Sequence, residues 1–204
     1  MRQRNIKNLD EKLDAHSEYL VEKISDIPER LEIEIGCGKG KFLTALAVNN
    51  PDTEFIGIEG QGNIILRALE KAKENKLSNI RYIHSYVDDL RDFFPENSAD
   101  VIYLNFSDPW PKERHAKRRL TYRDRINTFI KVLKPGGRIE FRTDNRGLYE
   151  FTLEEAEHID GKLIENIEDL DSKKPDRITT EYEDRFRGEG KNIMYVVIEK
   201  QTRE

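Results

Sequence analysis

The sequence predicts an α/β fold in which helices cover both faces of a doubly wound, mostly parallel sheet. Short runs rich in β-branched residues alternate with longer segments of helical apolar spacing between residues 31 and 144. Such alternation is typical of parallel strands joined by helices. Glycines follow the first strand directly, at Gly36, Gly38 and Gly40, in the part of an open sheet where ligands commonly bind.

Each predicted strand is a short apolar run, and each predicted helix has apolar residues three or four positions apart. Strands are expected at 31–36, 54–59, 79–86, 100–107, 138–144, 162–167 and 192–200. Helices are expected at 10–25, 39–50, 62–75, 88–94, 121–134, 147–158 and 181–187. Pro51 and Pro135 end two of these helices, because proline cannot donate the next helical hydrogen bond. A polar linker is expected around Pro175.

Composition limits the classes of protein to consider. The length of 204 residues suits one domain, so we expect 1–204 to form a single domain with a helical extension at 1–28. The net charge of −5 argues against a basic nucleic-acid coat protein, so any RNA must bind a local patch. A single cysteine, Cys37, allows no intrachain disulfide and suits a cytoplasmic location. Apolar runs are too short for a membrane span, and the histidine spacing suggests no metal site.

The glycine-rich loop, residues 36–40, opens a helix after the first strand. Its glycines allow a tight turn and a close approach of a ligand to the backbone. The dinucleotide fingerprint requires G-x-G-x-x-G, and this loop is one residue shorter. A P-loop would need glycine where Ile35 stands and serine or threonine where Phe42 stands. A dehydrogenase is therefore disfavoured, and so is a P-loop enzyme.

Two acidic residues accompany this loop. Glu59 ends the second strand, 19 residues after Gly40, where a carboxylate can accept hydrogen bonds from a ribose diol. A solvated loop acid is the alternative. Glu34 lies in an otherwise apolar strand, where a carboxylate must be paired or functional. The alternative is that Glu32 and Glu34 both face solvent on one side of the strand.

The loop after the fourth strand is stiff and aromatic. Its sequence is Asn105-Phe-Ser-Asp108-Pro-Trp110-Pro-Lys112. A flat base can stack on Trp110. A ring nitrogen without a proton needs no general base when it is methylated, but the ring becomes positively charged. We therefore assign Asp108 orientation and electrostatic stabilisation. An Asp-Pro turn beside a core tryptophan is the alternative.

A cationic stretch follows this loop. Residues 112–125 contain seven Lys and Arg against two acidic residues. Phosphates are the natural partners of such a patch. The alternative is the solvated start of a helix.

The segments Glu34-Ile-Gly-Cys-Gly-Lys-Gly and Ile56-Gly-Ile-Glu resemble the seven-stranded S-adenosylmethionine-dependent methyltransferase superfamily. The resemblance implies a Rossmann-like, seven-stranded sheet with an antiparallel C-terminal strand, which 162–167 and 192–200 would complete. It also implies S-adenosylmethionine as the methyl donor, whose ammonium is a candidate cation for Glu34.

The stretch Tyr103–Tyr122, YLNFSDPWPKERHAKRRLTY, closely resembles the bacterial tRNA (guanine-N7-)-methyltransferase family, and the similarity extends from MRQRN to TEYEDRF. This resemblance implies methylation of the guanine at the variable-loop position 46 of tRNA, with Asp108 as the catalytic residue. It implies donor contacts by Glu34, Gly36, Glu59 and Asp108. It implies substrate contacts by Lys112, Asp144, Thr180, Glu181, Tyr182 and Glu183. It implies RNA contacts by Arg114, His115, Ala116, Lys117, Arg118 and Arg119.

Several assignments have alternatives. Asp144 could instead cap the helix that starts near Gly147, and Thr180–Glu183 has the pattern of a capping box. Relatives commonly have an acid after the third strand that contacts the adenine end of the donor, whereas this chain has Ser85, with Asp88 further on. A methyltransferase for a small molecule or protein, and a non-catalytic tRNA-binding module, are the rival functions. A monomer and a homodimer are both compatible with the sequence.

Overall fold

The computed structural model describes residues 6–186 and 190–201. Within these ranges one sheet is formed by seven strands: β1 (Leu31–Ile35), β2 (Glu54–Ile58), β3 (Ile80–Ile83), β4 (Ala99–Asn105), β5 (Leu133–Thr143), β6 (Gly161–Ile167) and β7 (Met194–Lys200). Their spatial order is β3-β2-β1-β4-β5-β7-β6. The first five strands are mutually parallel, and β7 runs antiparallel to both β5 and β6. The predicted fold class is confirmed.

The helices cover both faces of this sheet. They are α1 (Leu9–Asp14), α2 (Lys41–Asn49), α3 (Gly62–Glu74), α4 (Arg123–Val132), α5 (Arg146–Ala156), α6 (Leu170–Lys173) and α7 (Glu181–Phe186). Residues of α4 and α5, such as Phe129 and Tyr149, pack with Ile33 of β1 in one core cluster. Residues of α2 and α3 pack with Phe55 of β2 in a second cluster. Successive side chains of a strand alternate between these two layers.

The predicted helix at 10–25 is wrong over its second half. Helix α1 ends at Asp14, and a 3₁₀ turn follows at Ser17–Tyr19. The backbone N–H of Val21 then donates to the carbonyl of Tyr82 (2.9 Å), next to a parallel bridge between Leu20 and Tyr82. This extended stretch covers β3, an edge strand whose backbone groups would otherwise lack partners.

Other short segments also differ from the sequence prediction. Strand β3 ends at Ile83 instead of residue 86, and β5 begins at Leu133 instead of residue 138. The helix expected at 88–94 is only a 3₁₀ turn at Leu90–Asp92. The linker expected around Pro175 is preceded by α6, where the Asp169 carboxylate accepts a hydrogen bond from the Ser172 N–H (3.1 Å). Among the residues that the structure describes, no helix is long and apolar enough to span a bilayer, and no three His, Cys, Asp or Glu side chains form a metal-binding group.

Gly40 allows α2 and α3 to pack closely. Its φ of +74° lies in the left-handed region, and a Cβ at this position would lie 2.8 Å from the Cβ of Ala68 on α3. Gly136 has a similar φ of +75°, but a Cβ there would meet no atom within 4 Å. Comparing substitutions at the two glycines therefore separates the free-energy cost of the left-handed backbone from that of a steric clash.

We expect Gly40→Ala to lower the free energy of unfolding by about 2–3 kcal/mol, since a left-handed penalty adds to overpacking against α3. Gly136→Ala is the matched control and should cost roughly 1 kcal/mol. Urea unfolding of both variants measures the difference. Equal losses would mean that the close approach to α3 has no energetic consequence.

Candidate active site

A cleft of about 490 Å³ lies at the carboxyl ends of the first four strands. The neighbouring strands β1 and β4 are not consecutive in the chain, and such switch points are where open α/β sheets bind ligands. The residues that line the cleft include Gly36, Glu59, Gly60, Gln61, Ser85, Tyr86, Val87, Asp88, Asn105, Phe106, Ser107, Asp108, Trp110, Arg118 and Arg125. Polar residues at or just after the ends of β1 to β4 therefore lie around one cleft.

Backbone hydrogen bonds fix the glycine-rich loop and Glu59 to each other. The Gly36 and Cys37 N–H groups donate to the carbonyl of Ile58 at 2.8 and 3.1 Å. The Glu59 carboxylate accepts hydrogen bonds from the Gly38 N–H (3.2 Å) and the Gln61 N–H (2.9 Å). Each carboxylate oxygen thus has one protein donor and retains a further lone pair for a ligand hydroxyl.

Glu34 is buried beside this cleft. The alternative considered from the sequence, in which Glu34 faces solvent, is therefore wrong. Only 2% of the residue is exposed, because its side of β1 is covered. Its Oε1 accepts a hydrogen bond from Asn105 Nδ2 at 2.8 Å. Burial raises the pKa of Glu34 to about 7, although Asn105 and the positive charge of Arg142 oppose that rise.

Three buried polar atoms in this region have no hydrogen-bond partner among the described residues: Glu34 Oε2, Asn105 Oδ1 and Ser107 Oγ. Buried polar groups are normally satisfied, so such a cluster indicates a missing ligand. An ammonium group of a ligand could donate to Glu34 Oε2, and a hydroxyl pair could donate to the remaining lone pairs of Glu59. The residues present therefore fit S-adenosylmethionine.

The loop that contains Asp108, residues 105–112, is held in an uncommon conformation. Phe106 (φ 52°) and Trp110 (φ 41°) both lie in the left-handed region, which is unfavourable for residues with a side chain. Arg119 braces the loop, because its Nε donates to the carbonyl of Pro109 and its Nη2 to that of Trp110, both at 3.0 Å. Asp108 itself is exposed at the cleft. A braced loop of this kind holds its carboxylate at a fixed place.

Trp110 lines the cleft and is not a core residue, unlike the alternative considered from the sequence. Its ring makes an edge contact with the His115 ring, with centroids 5.7 Å apart. The Arg118 guanidinium lies 4.9 Å from the Trp110 ring centroid. The tryptophan thereby connects the cleft to the cationic stretch.

The cationic stretch divides into two parts. Arg119 braces the loop, Arg123 pairs with Glu155 (2.7 Å), and Arg125 donates to the carbonyl of Val87 (2.7 Å). Four other cations are exposed; we call them the basic ridge: Lys112, Arg114, Lys117 and Arg118. Within residues 6–186 and 190–201, no ion pair involves Lys112, Arg114 or Lys117. These side chains are therefore available to external phosphates.

Asp144 meets α7 beside the Asp108 loop. Its Oδ2 accepts a hydrogen bond from the Tyr182 hydroxyl (3.0 Å) and lies 3.5 Å from Lys191 Nζ. The Tyr182 ring stacks on Phe106, with centroids 4.6 Å apart. Asp144 is not the helix cap that the alternative required, because Asn145 caps α5 by accepting from the Leu148 N–H (2.8 Å).

The predicted capping box is confirmed at the start of α7. The Glu183 N–H donates to Thr180 Oγ1 (3.1 Å), and the Thr180 N–H donates to Glu183 Oε2 (2.7 Å). Both residues are buried. Glu181 lies on the outer side, paired with Lys71 of α3 at 3.1 Å. Of the four residues from Thr180 to Glu183, Tyr182 is thus the one that contacts the Asp108 loop.

The end of β3 provides a residue that the sequence analysis missed. Ser85 and Asp88 both line the cleft, so the structure does not choose between them. Tyr86, between them, is 74% exposed. Its ring lies against Gly60, where an added Cβ would be only 2.4 Å away. The glycine after Glu59 was the available signal, because it leaves room for this ring.

We expect Glu34 to make stability depend on pH. Its folded pKa of about 7 lies above the ordinary glutamate value of 4.5, so its contribution is complete below pH 4.5 and is lost as pH rises through about 7. The free energy of unfolding should fall by about 3 kcal/mol over this window. Glu34→Gln should lack this component. Urea unfolding of both proteins at several pH values measures this component as the difference between their free energies of unfolding. Parallel curves of free energy against pH would contradict the assignment.

Comparison with known proteins places this site in a family. Residues 28–196 match a family model described as "Putative methyltransferase". Among solved structures, the 16S rRNA methyltransferase KamB has a TM-score of 0.65 at 12% identity, with 98% of this chain and 97% of that chain covered. An antibiotic-related methyltransferase has a TM-score of 0.61 at 19% identity, covering 98% of this chain and 97% of that one. At these identities the likeness concerns the fold alone.

Relatives in curated collections are closer in sequence. The tRNA (guanine-N(7)-)-methyltransferase of Mesoplasma florum is 39% identical, with 98% of this chain and 99% of that protein covered. The enzyme of the same name from Streptococcus pneumoniae is 39% identical over 98% of this chain and 100% of its own length. That of Halalkalibacterium halodurans is 43% identical over 80% of this chain and 74% of its own length. The chain therefore belongs to the tRNA (guanine-N(7)-)-methyltransferase family.

Proposed function

We propose that the cleft binds S-adenosylmethionine and that the Asp108 loop presents a tRNA guanine to it. Methyl transfer from S-adenosylmethionine to guanine N7 in tRNA is the activity of the family to which the chain belongs. One observation supports the residue assignment above all others. Asp108, Trp110 and the basic ridge lie on one continuous segment that begins at the cleft.

The donor-binding residues are Glu34, Gly36, Glu59 and Asp108. When bound, S-adenosylmethionine supplies a methyl group attached to a positively charged sulfur. Glu34 Oε2, which has no partner among the described residues, would accept from the ammonium group of the donor, and the lone pairs of Glu59 would accept from the ribose hydroxyls. Gly36 lets the backbone lie close to the ligand. These contacts orient the donor along the strand ends.

The base-binding residues lie in the Asp108 loop and next to it. Guanine N7 has a lone pair and no proton, so the enzyme needs no general base. Asp108 stabilises the positive charge that develops on the ring, and Trp110 offers a stacking surface. Asp144, with only one oxygen engaged by Tyr182 and Lys191 in the contacts above, accepts from the Watson–Crick donors of the guanine. Lys112 lies at the end of the same loop and is exposed.

The RNA-binding segment is Arg114–Arg119, next to residues that contact the base. The exposed cations of the basic ridge would neutralise phosphates around the target guanine, which we infer is position 46 in the variable loop. Arg119 acts from within, through the loop carbonyls that it holds. We further propose that 1–204 act as one methyltransferase domain in the cytoplasm, as a monomer or a homodimer.

The first experiment supplies labelled S-adenosylmethionine and unmodified tRNA, and identifies the product nucleoside by mass spectrometry. We expect 7-methylguanosine. A tRNA with 7-deazaguanosine at position 46 is the matched control and should take up no label, since it lacks N7. Label at another base would contradict the assignment of the target. Donor binding without any transfer would favour a non-catalytic tRNA-binding module.

Asp108→Asn should reduce turnover at least about a hundredfold, because it removes the charge that faces the reacting ring. Affinity for tRNA should stay within about threefold because the basic ridge is unchanged, and any loss of S-adenosylhomocysteine affinity should be smaller than the loss of turnover. Single-turnover kinetics and direct binding measure both. Asp124→Asn, on the exposed start of α4, is the control and should retain activity. Full activity in Asp108→Asn would remove the catalytic assignment.

Lys117→Gln should weaken tRNA binding and lower the slope of log Kobs against log salt by about 0.9, which corresponds to one phosphate contact. Turnover at saturating tRNA should be unchanged. Lys162→Gln, at an exposed site on the edge strand β6, is the matched control and should leave the slope alone. Filter binding at several salt concentrations gives both slopes, and identical slopes for the two variants would argue against the ridge.

A further inference from the structure

A polar row crosses the covered face of the sheet beside the donor cleft. Asn105 of β4 and Arg142 of β5 are register partners. Asn105 donates in turn to Glu34 of β1 at 2.8 Å. Glu34 and Arg142 are 2% and 6% exposed. Three parallel strands thus place a carboxylate, an amide and a guanidinium side by side in a buried layer.

Arg142 is poorly satisfied for a buried cation. Its Nη1 donates to the carbonyl of Ile178 (3.0 Å) and lies 3.7 Å from Glu183 Oε2. Its guanidinium lies 4.8 Å from the ring centroid of Phe42 on α2. Its Nε has no hydrogen-bond partner among the described residues. An apolar side chain would avoid the desolvation cost of this charge, so stability alone does not explain an arginine here.

Arg142 acts on Glu34 through its charge. The groups that influence Glu34 are Asn105 of β4, Arg142 of β5 and Glu59 at the end of β2. Cys37 in the glycine-rich loop and Tyr82 of β3 also lie within its electrostatic reach, and burial raises the pKa of both, so they stay neutral. Among these groups Arg142 is the cation. Without it, burial and the Glu59 carboxylate would both favour protonated Glu34.

Arg142 also holds the start of α7. Its partners Ile178 and Glu183 flank Thr180, the first residue of the capping box. Tyr182, the residue before Glu183, stacks on Phe106 and donates to Asp144. One side chain therefore influences Glu34 on the donor side through its charge and contacts the segment that carries Tyr182 on the base side.

We propose that Arg142 is a positioning residue for methyl transfer, which favours the ionised form of Glu34 for the ammonium of the donor and fixes α7 so that Tyr182 meets the Asp108 loop. This inference rests on the proposed function of the cleft. It assigns Arg142 no contact with either substrate. Its effect must therefore appear in the pH dependence of donor binding, which a purely structural role would not change.

The test measures S-adenosylhomocysteine affinity by calorimetry between pH 6 and pH 8.5, without any turnover. Arg142→Gln keeps a donor for Ile178 but loses the charge. Loss of the positive charge should raise the pKa of Glu34, so the Kd of Arg142→Gln should be about tenfold higher than that of the wild type at pH 6 and approach the wild-type value at pH 8.5. Arg142→Lys retains the charge and should restore the wild-type pH profile. An equal loss of affinity at every pH would overturn the proposal.

Arg177→Gln is the matched control. Arg177 is another buried arginine, paired with Glu183 (2.5 Å) and Asp171 (2.9 Å), and it is absent from the groups that influence Glu34. Its replacement should loosen α7 without moving the pH profile, and the same pH-dependent shift there would also overturn the proposal. If Arg142→Gln does not fold, the double variant Glu34→Gln/Arg142→Gln, which removes both charges, is compared with Glu34→Gln. Equal pH profiles are then expected, and different ones would show that Arg142 acts on another group.

Failure of the proposed function would look different. If the wild-type protein did not bind S-adenosylhomocysteine at any pH, the donor site itself would be wrong. If the wild type bound it and Arg142→Gln bound it with an unchanged profile, only the role of Arg142 would be lost.

Discussion

The buried carboxylate of Glu34, on β1 where the strand order reverses, constrains the groups around it. Glu34 is unfavourable as a buried anion unless other groups compensate it. Asn105 provides one hydrogen bond from the next strand, and Arg142 provides positive charge from the strand beyond. Compensation within the protein is incomplete, since Glu34 Oε2 lacks a partner among the described residues. The unsatisfied oxygen of Glu34 lowers stability, and a cationic ligand that donates to it would remove this cost.

The segment after β4 combines strain with bracing. Left-handed conformations at Phe106 and Trp110 are costly, and they persist because neighbouring groups hold the chain in place. Arg119 does so through two carbonyls, and Tyr182 through the ring of Phe106. The cationic stretch at residues 112–125, which looks uniform in the sequence, therefore serves two purposes. Its buried or paired members build the site, and its exposed members face outward.

Much of this architecture could be predicted from sequence, because β1 to β5 show strong local periodicity and the glycines mark a turn. The helix expected at 10–25 failed because apolar spacing cannot reveal that Val21 finds a backbone partner on β3. The solvent-facing alternative for Glu34 failed because alternation tells which side a residue is on, but not whether that side is covered. Arg142 and Tyr86 escaped notice for a related reason. Their importance depends on neighbours from distant parts of the chain, Glu34 and Gly60.

The position of β7 has a consequence for how the molecule is made. Strand β7 pairs with β5 on one side and β6 on the other, so β6 has no place in the sheet until residue 200 has been synthesised. During translation β5 is an open edge, and such edges invite pairing with other chains. Completion of the sheet must then wait until residues 194–200 are free to pair. Long-range strand pairing of this kind is slow, so the edge of β5 needs protection until β7 has paired with it.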